Sequence, residues 1–415
     1  TVQLPLYAIL ACLFYYSVRL FQEERKNKNL RKKLILVPIF TIIIGLSIAA
    51  IQLFPTLELS QLSVRSQGLS YEFASGFSFH PKQLLLIVFP SLLGLDINNS
   101  FWGVGSFWGT SIYTGVAPFF LAIIGIIYKR NKYTFIFLLL SLFSIFYSFG
   151  KYGLIFKFFY DYVPFFNNFR VPTRFLFVYA FSFAIFSGFG TEYVLEELKK
   201  KKHYFFAKFS KPLSLILIAS ISIYTILYLN KDNITVFEKI VLKNSLAQGI
   251  NHNTIYLLIL NNILSFCVFT FLILLIFLLF KFKKISKRIV CYLVITLIVL
   301  DFFIYYSQFY NQQIFKKPYQ FSKEFAFIKQ DKSKFRIFLI PSGSENLTSI
   351  NKLENITGID ALYLTSYRNF LWEIGPYVNL PYEDWIYIND IKNLNNLRLL
   401  NVKYVITKKD IKLNF

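Results

Sequence analysis

The sequence predicts an α-helical polytopic membrane protein of about eight transmembrane helices, followed by a small α/β domain. Three observations predict it. Apolar runs such as 34–54 and 256–280 recur along the first three-quarters of the 415 residues, each long enough to cross a hydrocarbon core of roughly 30 Å. Lys and Arg are concentrated in alternate loops. After Tyr306 the spanning runs stop and short segments of period two take their place.

The spans read in order as follows. The first is 4–21, followed by the basic loop QEERKNKNLRKK. The second is 34–54, ending at Pro55, and a long loop (55–112) follows. Within that loop the apolar stretch 84–93 is too short to span and reads as a re-entrant or interfacial helix. The third and fourth spans are 113–128 and 133–150, joined by the tight turn KRNK. The aromatic and basic segment 151–174 leads into a fifth span at 175–195. The sixth is 213–229, the seventh 255–280 and the eighth 289–306, with a polar loop at 230–254 between the sixth and seventh.

The chain is 55% hydrophobic and 20% aromatic, with a mean hydropathy of +0.49 and a net charge of +23. The loops 22–33, 129–132, 196–212 and 281–288 hold 20 Lys and Arg in 41 residues. The loops 55–112, 151–174 and 230–254 hold 9 in 107. This asymmetry puts the first set in the cytoplasm and the second outside. The charge therefore reports topology and contact with anionic membrane lipids, and it argues against a nucleic-acid partner. Cys12, Cys267 and Cys291 lie in apolar spans without ligand spacing, so neither a disulfide nor a metal site is read. Methionine is absent and the N-terminus falls outside on this count, so the chain reads as an internal fragment of a longer protein.

Residues 1–306 thus form a transmembrane domain and 307–415 an extracytoplasmic α/β domain that reads as incomplete. Segments 334–340 (KFRIFLI) and 401–407 (NVKYVIT) have the β-branched alternation of strands, with turn signals at 341–343 and at Thr357 and Gly358 between them.

The informative polar residues sit in the outer loops. Glu58 and Arg65 follow the second span, with Tyr71 and Glu72 next. An Arg beside carboxylates at a membrane boundary suits phosphate clamping or orientation of a sugar hydroxyl; an interfacial ion pair explains it equally. His80 and Lys82 precede the short apolar stretch. There a His suits contact with a lipid phosphate or general-base work, while a lone His is more often just an interfacial residue. Trp102 and Trp108 flank glycines in FWGVGSFWGT, and membrane anchoring is the favoured reading over sugar stacking. The segment DYVPFFNNFRVPTRF carries Asp161, Asn168, Arg170 and Arg174. Two Arg in five residues enter the fifth span from outside, against the charge trend. Their planar donor forks suit phosphate or pyrophosphate, and snorkelling to headgroups is the bland alternative. Inside the spans, Asn261, Asn262 and Asp301 stand out, Asp301 near enough to the outer end to reach water. No nucleotide-binding glycine loop, HExxH or nucleophile elbow is present.

The strings IQLFPTLELSQLSVRSQGLSYEFA, YTGVAPFFLAIIG, NNFRVPTRFLFVYAFSFAIFSGFG and NNLRLLNVKYVIT, in this order, resemble the bacterial YfhO family over most of the chain. The resemblance implies a GT-C type membrane glycosyltransferase fold and activity. Such a protein takes a sugar from a polyprenyl-phosphate donor and adds it, on the outer face, to a cell-envelope glycopolymer such as lipoteichoic acid. It implies a catalytic carboxylate in the first outer loop of the full protein, upstream of this fragment, which alone is expected to be inactive. Glu58, Arg65, Arg170 and Arg174 match motif positions of the family. A polytopic transporter or lipid flippase, and a non-catalytic envelope protein, are the competing readings. A transporter is expected to gather its polar groups at the midplane of broken helices rather than on one face.

Overall fold

The computed structural model describes residues 3–23, 28–66, 68–96, 100–199, 203–231, 252–282, 284–309, 323–340, 348, 351–358, 362–375, 388 and 390–407. Most of the predicted loop 230–254 and the predicted turn at 341–343 lie outside these. The described helices run, in chain order, α1 (Gln3–Glu23), α2 (Lys28–Leu62), α3 (Tyr71–Ala74), α4 (Phe107–Thr110), α5 (Val116–Tyr128), α6 (Lys132–Ser148) and α7 (Leu154–Tyr162). They continue with α8 (Leu176–Lys199), α9 (His203–Leu229), α10 (His252–Lys281), α11 (Lys287–Ser307), α12 (Lys323–Ile328), α13 (Thr365–Trp372) and α14 (Leu394–Leu399). Two strands, β1 (Arg336–Ile340) and β2 (Val402–Thr407), pair in parallel.

Among the described residues, six helical stretches are long and apolar enough to cross a membrane: Gln3–Phe21, Ile35–Leu62, Pro172–Lys199, Phe209–Leu229, Asn253–Lys281 and Lys287–Ser307. The third and fourth predicted spans form the shorter helices α5 and α6, of 13 and 17 residues. At 1.5 Å per residue these reach about 20 and 26 Å, less than a bilayer core. α5 starts late because Gly115 takes φ 87°, which breaks the helix just before Val116. Six of the eight predicted spans are thus full-length apolar helices, and the third and fourth are the shorter α5 and α6.

Two other boundaries differ from expectation. α2 continues through Pro55 to Leu62, with Pro38 also inside it. The predicted short helix at 84–93 is a 3₁₀ turn at Pro81–Ile87, followed by non-helical backbone. His80 and Gln83 cap its start reciprocally, and Pro90 opposes helix beyond. The irregular backbone is tied down by side chains. Gln83 Nε2 donates to Val104 O at 2.8 Å, and Ser91 N donates to Asn262 Oδ1 on α10 at 2.9 Å. Non-helical chain among apolar helices survives only with its polar groups satisfied in this way.

The contacts divide the chain into two compact units, residues 1–36 with 75–311 and residues 37–74 with 312–415. In the first, α5 packs along α8 so closely that glycine is required at the crossing. A Cβ on Gly125 would lie 2.1 Å from Phe186 O, and one on Gly190 would lie 1.8 Å from Leu121 O. Small residues at such a crossing let backbones meet where apolar association alone drives little. Phe266, Phe269, Ile273 and Phe277 of α10 extend this core, with Leu213 and Leu217 of α9.

In the second unit both faces of the sheet are buried, as parallel strands require. Phe338 and Ile340 pack with Ile356, Leu371, Ile374 and Leu397, while Ile337 and Leu339 pack with Ile328. The predicted strands at 334–340 and 401–407 are thus present. Residues 37–74, which the sequence assigned to the transmembrane part, group with this unit. Val64 N donates to Tyr363 O at 3.1 Å, and Ser63 forms an antiparallel bridge with Leu364.

Candidate functional site

The segment carrying Arg170 and Arg174 is held by a buried polar chain in the first unit. Gln3, at 3% exposure, opens α1, and both ends of its amide are engaged. Its Nε2 donates to Arg170 O at 2.7 Å and to Tyr7 Oη at 2.8 Å, and its Oε1 accepts from Arg174 Nη1 at 2.7 Å. The Tyr7 hydroxyl pairs with that of Tyr147 on α6 at 2.9 Å, and both tyrosines are buried. Between the two arginines, Val171 sits at φ 64°, ψ 75°, a strained conformation for a β-branched residue. The strain persists because its neighbours are fixed on both sides. Gln3 holds Arg170 O, and Ser148 Oγ donates to Pro172 O at 3.2 Å. The Arg170 guanidinium lies 5.7 Å from the ring centre of Phe77, itself at φ 58°.

Beside this chain lies an apolar cavity of about 420 Å³. Leu10 and Phe14 of α1, Leu140 and Tyr147 of α6, Phe166 and Phe175 line it, with Phe159 of α7. Tyr147 belongs to both features, and Phe175 follows Arg174 directly. An apolar cavity therefore adjoins, through Tyr147 and Phe175, the segment that bears the two guanidinium groups.

The other candidates divide. His80 is near this segment: Phe79 N donates to Ser148 O at 2.8 Å, and the His80 ring meets Tyr152 edge-on at 4.7 Å. Its Nδ1 accepts from Lys82 N at 3.1 Å, which makes it a helix cap. Partial burial, then the Lys82 charge, lowers its pKa below the usual imidazole value. Asp161 pairs with Lys157 at 3.1 Å one turn away on α7, an ordinary surface pair. Trp108 is 62% exposed and donates to Asp96 at 3.0 Å, whereas Trp102 packs into the core with no partner for its indole N–H among the described residues. Glu58, exposed on α2, Arg65 in the turn after it, and Tyr71 on α3 belong to the second unit.

Asp301 does not reach water. It is 4% exposed and caps α5 from a distance, accepting from Val116 N at 2.7 Å and from Tyr113 Oη at 2.5 Å. A carboxylate at a helix N-terminus meets both unpaired N–H groups and the positive end of the dipole. The extended residues before α5 also face α11 through Ser111, whose hydroxyl pairs with Tyr305 at 3.0 Å. Gln3, Tyr7, Tyr147 and Tyr113 are site residues that sequence reasoning missed. Gln3 was the one weak signal, a polar residue opening an apolar run. Among the described residues, no three His, Cys, Asp or Glu converge as a metal site. Compared with family models, curated proteins and solved structures, the chain matches none.

Proposed function

We propose that this chain is part of a membrane glycosyltransferase of GT-C type, similar to the YfhO family. In this reading it transfers a sugar from a polyprenyl-phosphate carrier to a cell-envelope acceptor such as lipoteichoic acid, on the outer face. The observation that carries the reading is the junction of the apolar cavity with the Arg170–Arg174 segment. A polyprenyl phosphate needs those two features side by side, a slot for hydrocarbon and cations for its phosphate. In the reaction an acceptor hydroxyl oxygen bonds to the anomeric carbon, the bond from that carbon to the phosphate oxygen breaks, and the hydroxyl proton passes to a base. The arginines bear on the second event, stabilising negative charge as it grows on the departing phosphate. The Lys and Arg asymmetry supports an outward-facing arginine end.

Arg170→Lys and Arg174→Lys in the full-length protein test this. Lysine keeps the charge but loses the fork that binds two oxygens at once. Losing one charge-assisted hydrogen bond in the transition state, about 1.5–3 kcal/mol, lowers transfer roughly tenfold to a hundredfold. Membrane levels should stay unchanged. Parent-rate transfer by both variants means that the arginines only anchor the fold.

A further inference from the structure

Beside the two-stranded sheet of the second unit, the segment at Asn355 makes one parallel bridge to β1. Ile337 N donates to Glu354 O at 2.8 Å and Ile356 N to Ile337 O at 3.1 Å, so the segment at Asn355 runs along the edge of β1 opposite β2. All three segments point the same way, and their carboxyl ends lie at one side of the sheet. That side is where open parallel sheets bind ligands. Thr357 sits there, 5% exposed, and its hydroxyl has no hydrogen-bond partner among the described residues. The amide nitrogen of Asn355 is buried and unpaired in the same way. Asn355 Oδ1 accepts from Thr357 N at 3.4 Å, so the Asn355 amide lies over Thr357. Among the described residues, a Cβ on the next residue, Gly358, would find no heavy atom nearer than the Tyr363 hydroxyl at 3.8 Å.

Buried polar side chains are nearly always paired, so two unpaired ones together point to an absent partner. The amide nitrogen only donates, whereas the hydroxyl donates or accepts. Neither makes a hydrogen bond to a cationic group, and a buried anion without its counter-charge is costly. The matching partner is uncharged and carries oxygens that accept and hydroxyls that donate. We propose that the carboxyl end of this sheet is a binding site for a small neutral polyhydroxyl ligand, a sugar ring or polyol, read by Asn355 and Thr357.

The site stands apart from the transfer reading, which fails or survives on Arg170→Lys. The test uses the whole chain in nanodiscs, with glucose, glycerol and inorganic phosphate each titrated by saturation-transfer NMR. Saturable binding of glucose or glycerol is expected, weakened at least tenfold in Thr357→Val, a near-isosteric change that leaves the melting temperature in place. Hydrogen exchange of residues 355–358 should slow on binding in the parent only. Absence of saturable binding by either neutral probe overturns the proposal, as does equal binding by Thr357→Val. Preference for phosphate also overturns it. So does a loss of stability in Thr357→Val without any binding in the parent, which assigns the pair to a structural water.

Discussion

Asp301 divides its two oxygens between donors on different parts of the chain, Tyr113 and the Val116 N–H, and it is buried while doing so. Asp301→Ala leaves both donors without an acceptor. At about 1–3 kcal/mol for each orphaned buried group, it should lower the melting temperature in detergent strongly, and Asp301→Asn should lower it less. An alanine variant as stable as the parent contradicts the capping role. Asp331 allows a test by pH. Its carboxylate accepts from Lys403 Nζ, from Ser333 Oγ at 2.7 Å and from Tyr404 Oη at 2.8 Å. Lys403 first, then Ser333, holds the carboxyl below the usual carboxylate range. A depressed folded pKa gives stability that is fully present above the unfolded value of about 4 and is lost as pH falls below it. Melting between pH 6 and pH 3 should therefore show an acid limb that Asp331→Asn flattens; an identical limb in the variant removes this cause. At this scale the sequence singled out Arg170, Arg174 and Asp301 because charges in apolar surroundings are conspicuous. It did not show their partners. Gln3 and Arg170 are 167 residues apart, and Tyr7 and Tyr147 look like any aromatic in a span.

Helices were legible from apolar run length, because a spanning segment must satisfy its own backbone. Their ends were not. The third predicted span began at Tyr113, since hydropathy does not sense that Gly115 adopts a positive φ or that Tyr113 turns back to Asp301. α2 overran Pro55, where Thr56 Oγ1 bonds back to Gln52 O at 2.7 Å within the continuing helix. The crossing of α5 and α8 was equally hidden, because two glycines 65 positions apart carry no local signal. That crossing makes a prediction for the pair of elements. Gly190→Leu must push Leu121 O away and should separate the helices, costing at least the 1–3 kcal/mol typical of overpacking. Gly188→Leu, at a position open to at least 4 Å, should cost little. Melting of both variants in the same detergent decides it, and equal melting temperatures contradict the close approach.

At the scale of the whole molecule, composition was enough for the membrane class, because bilayer insertion acts on bulk apolarity, and charge placement predicts an orientation. The grouping of 37–74 with the C-terminal unit escaped notice, since the pairings of Val64 with Tyr363 and of Ser63 with Leu364 join positions about 300 apart and leave no local signal. Orientation is open to labelling. In a cysteine-free background, Lys332→Cys should react with an impermeant reagent in intact cells and Lys284→Cys should not; the reverse pattern contradicts the outward reading. Recognition of the lipid carrier is read out by binding. The parent chain, Leu140→Trp and Arg170→Lys are each placed in nanodiscs and titrated with a polyprenyl phosphate and with the uncharged polyprenol. Saturable binding of the phosphate by the parent is expected, abolished when Trp fills the cavity and weakened roughly tenfold by Lys, a loss of about 1.4 kcal/mol. Weaker binding of the polyprenol is expected too, with no response to Lys. Polyprenyl phosphate binding that is absent, or indifferent to both substitutions, contradicts that recognition.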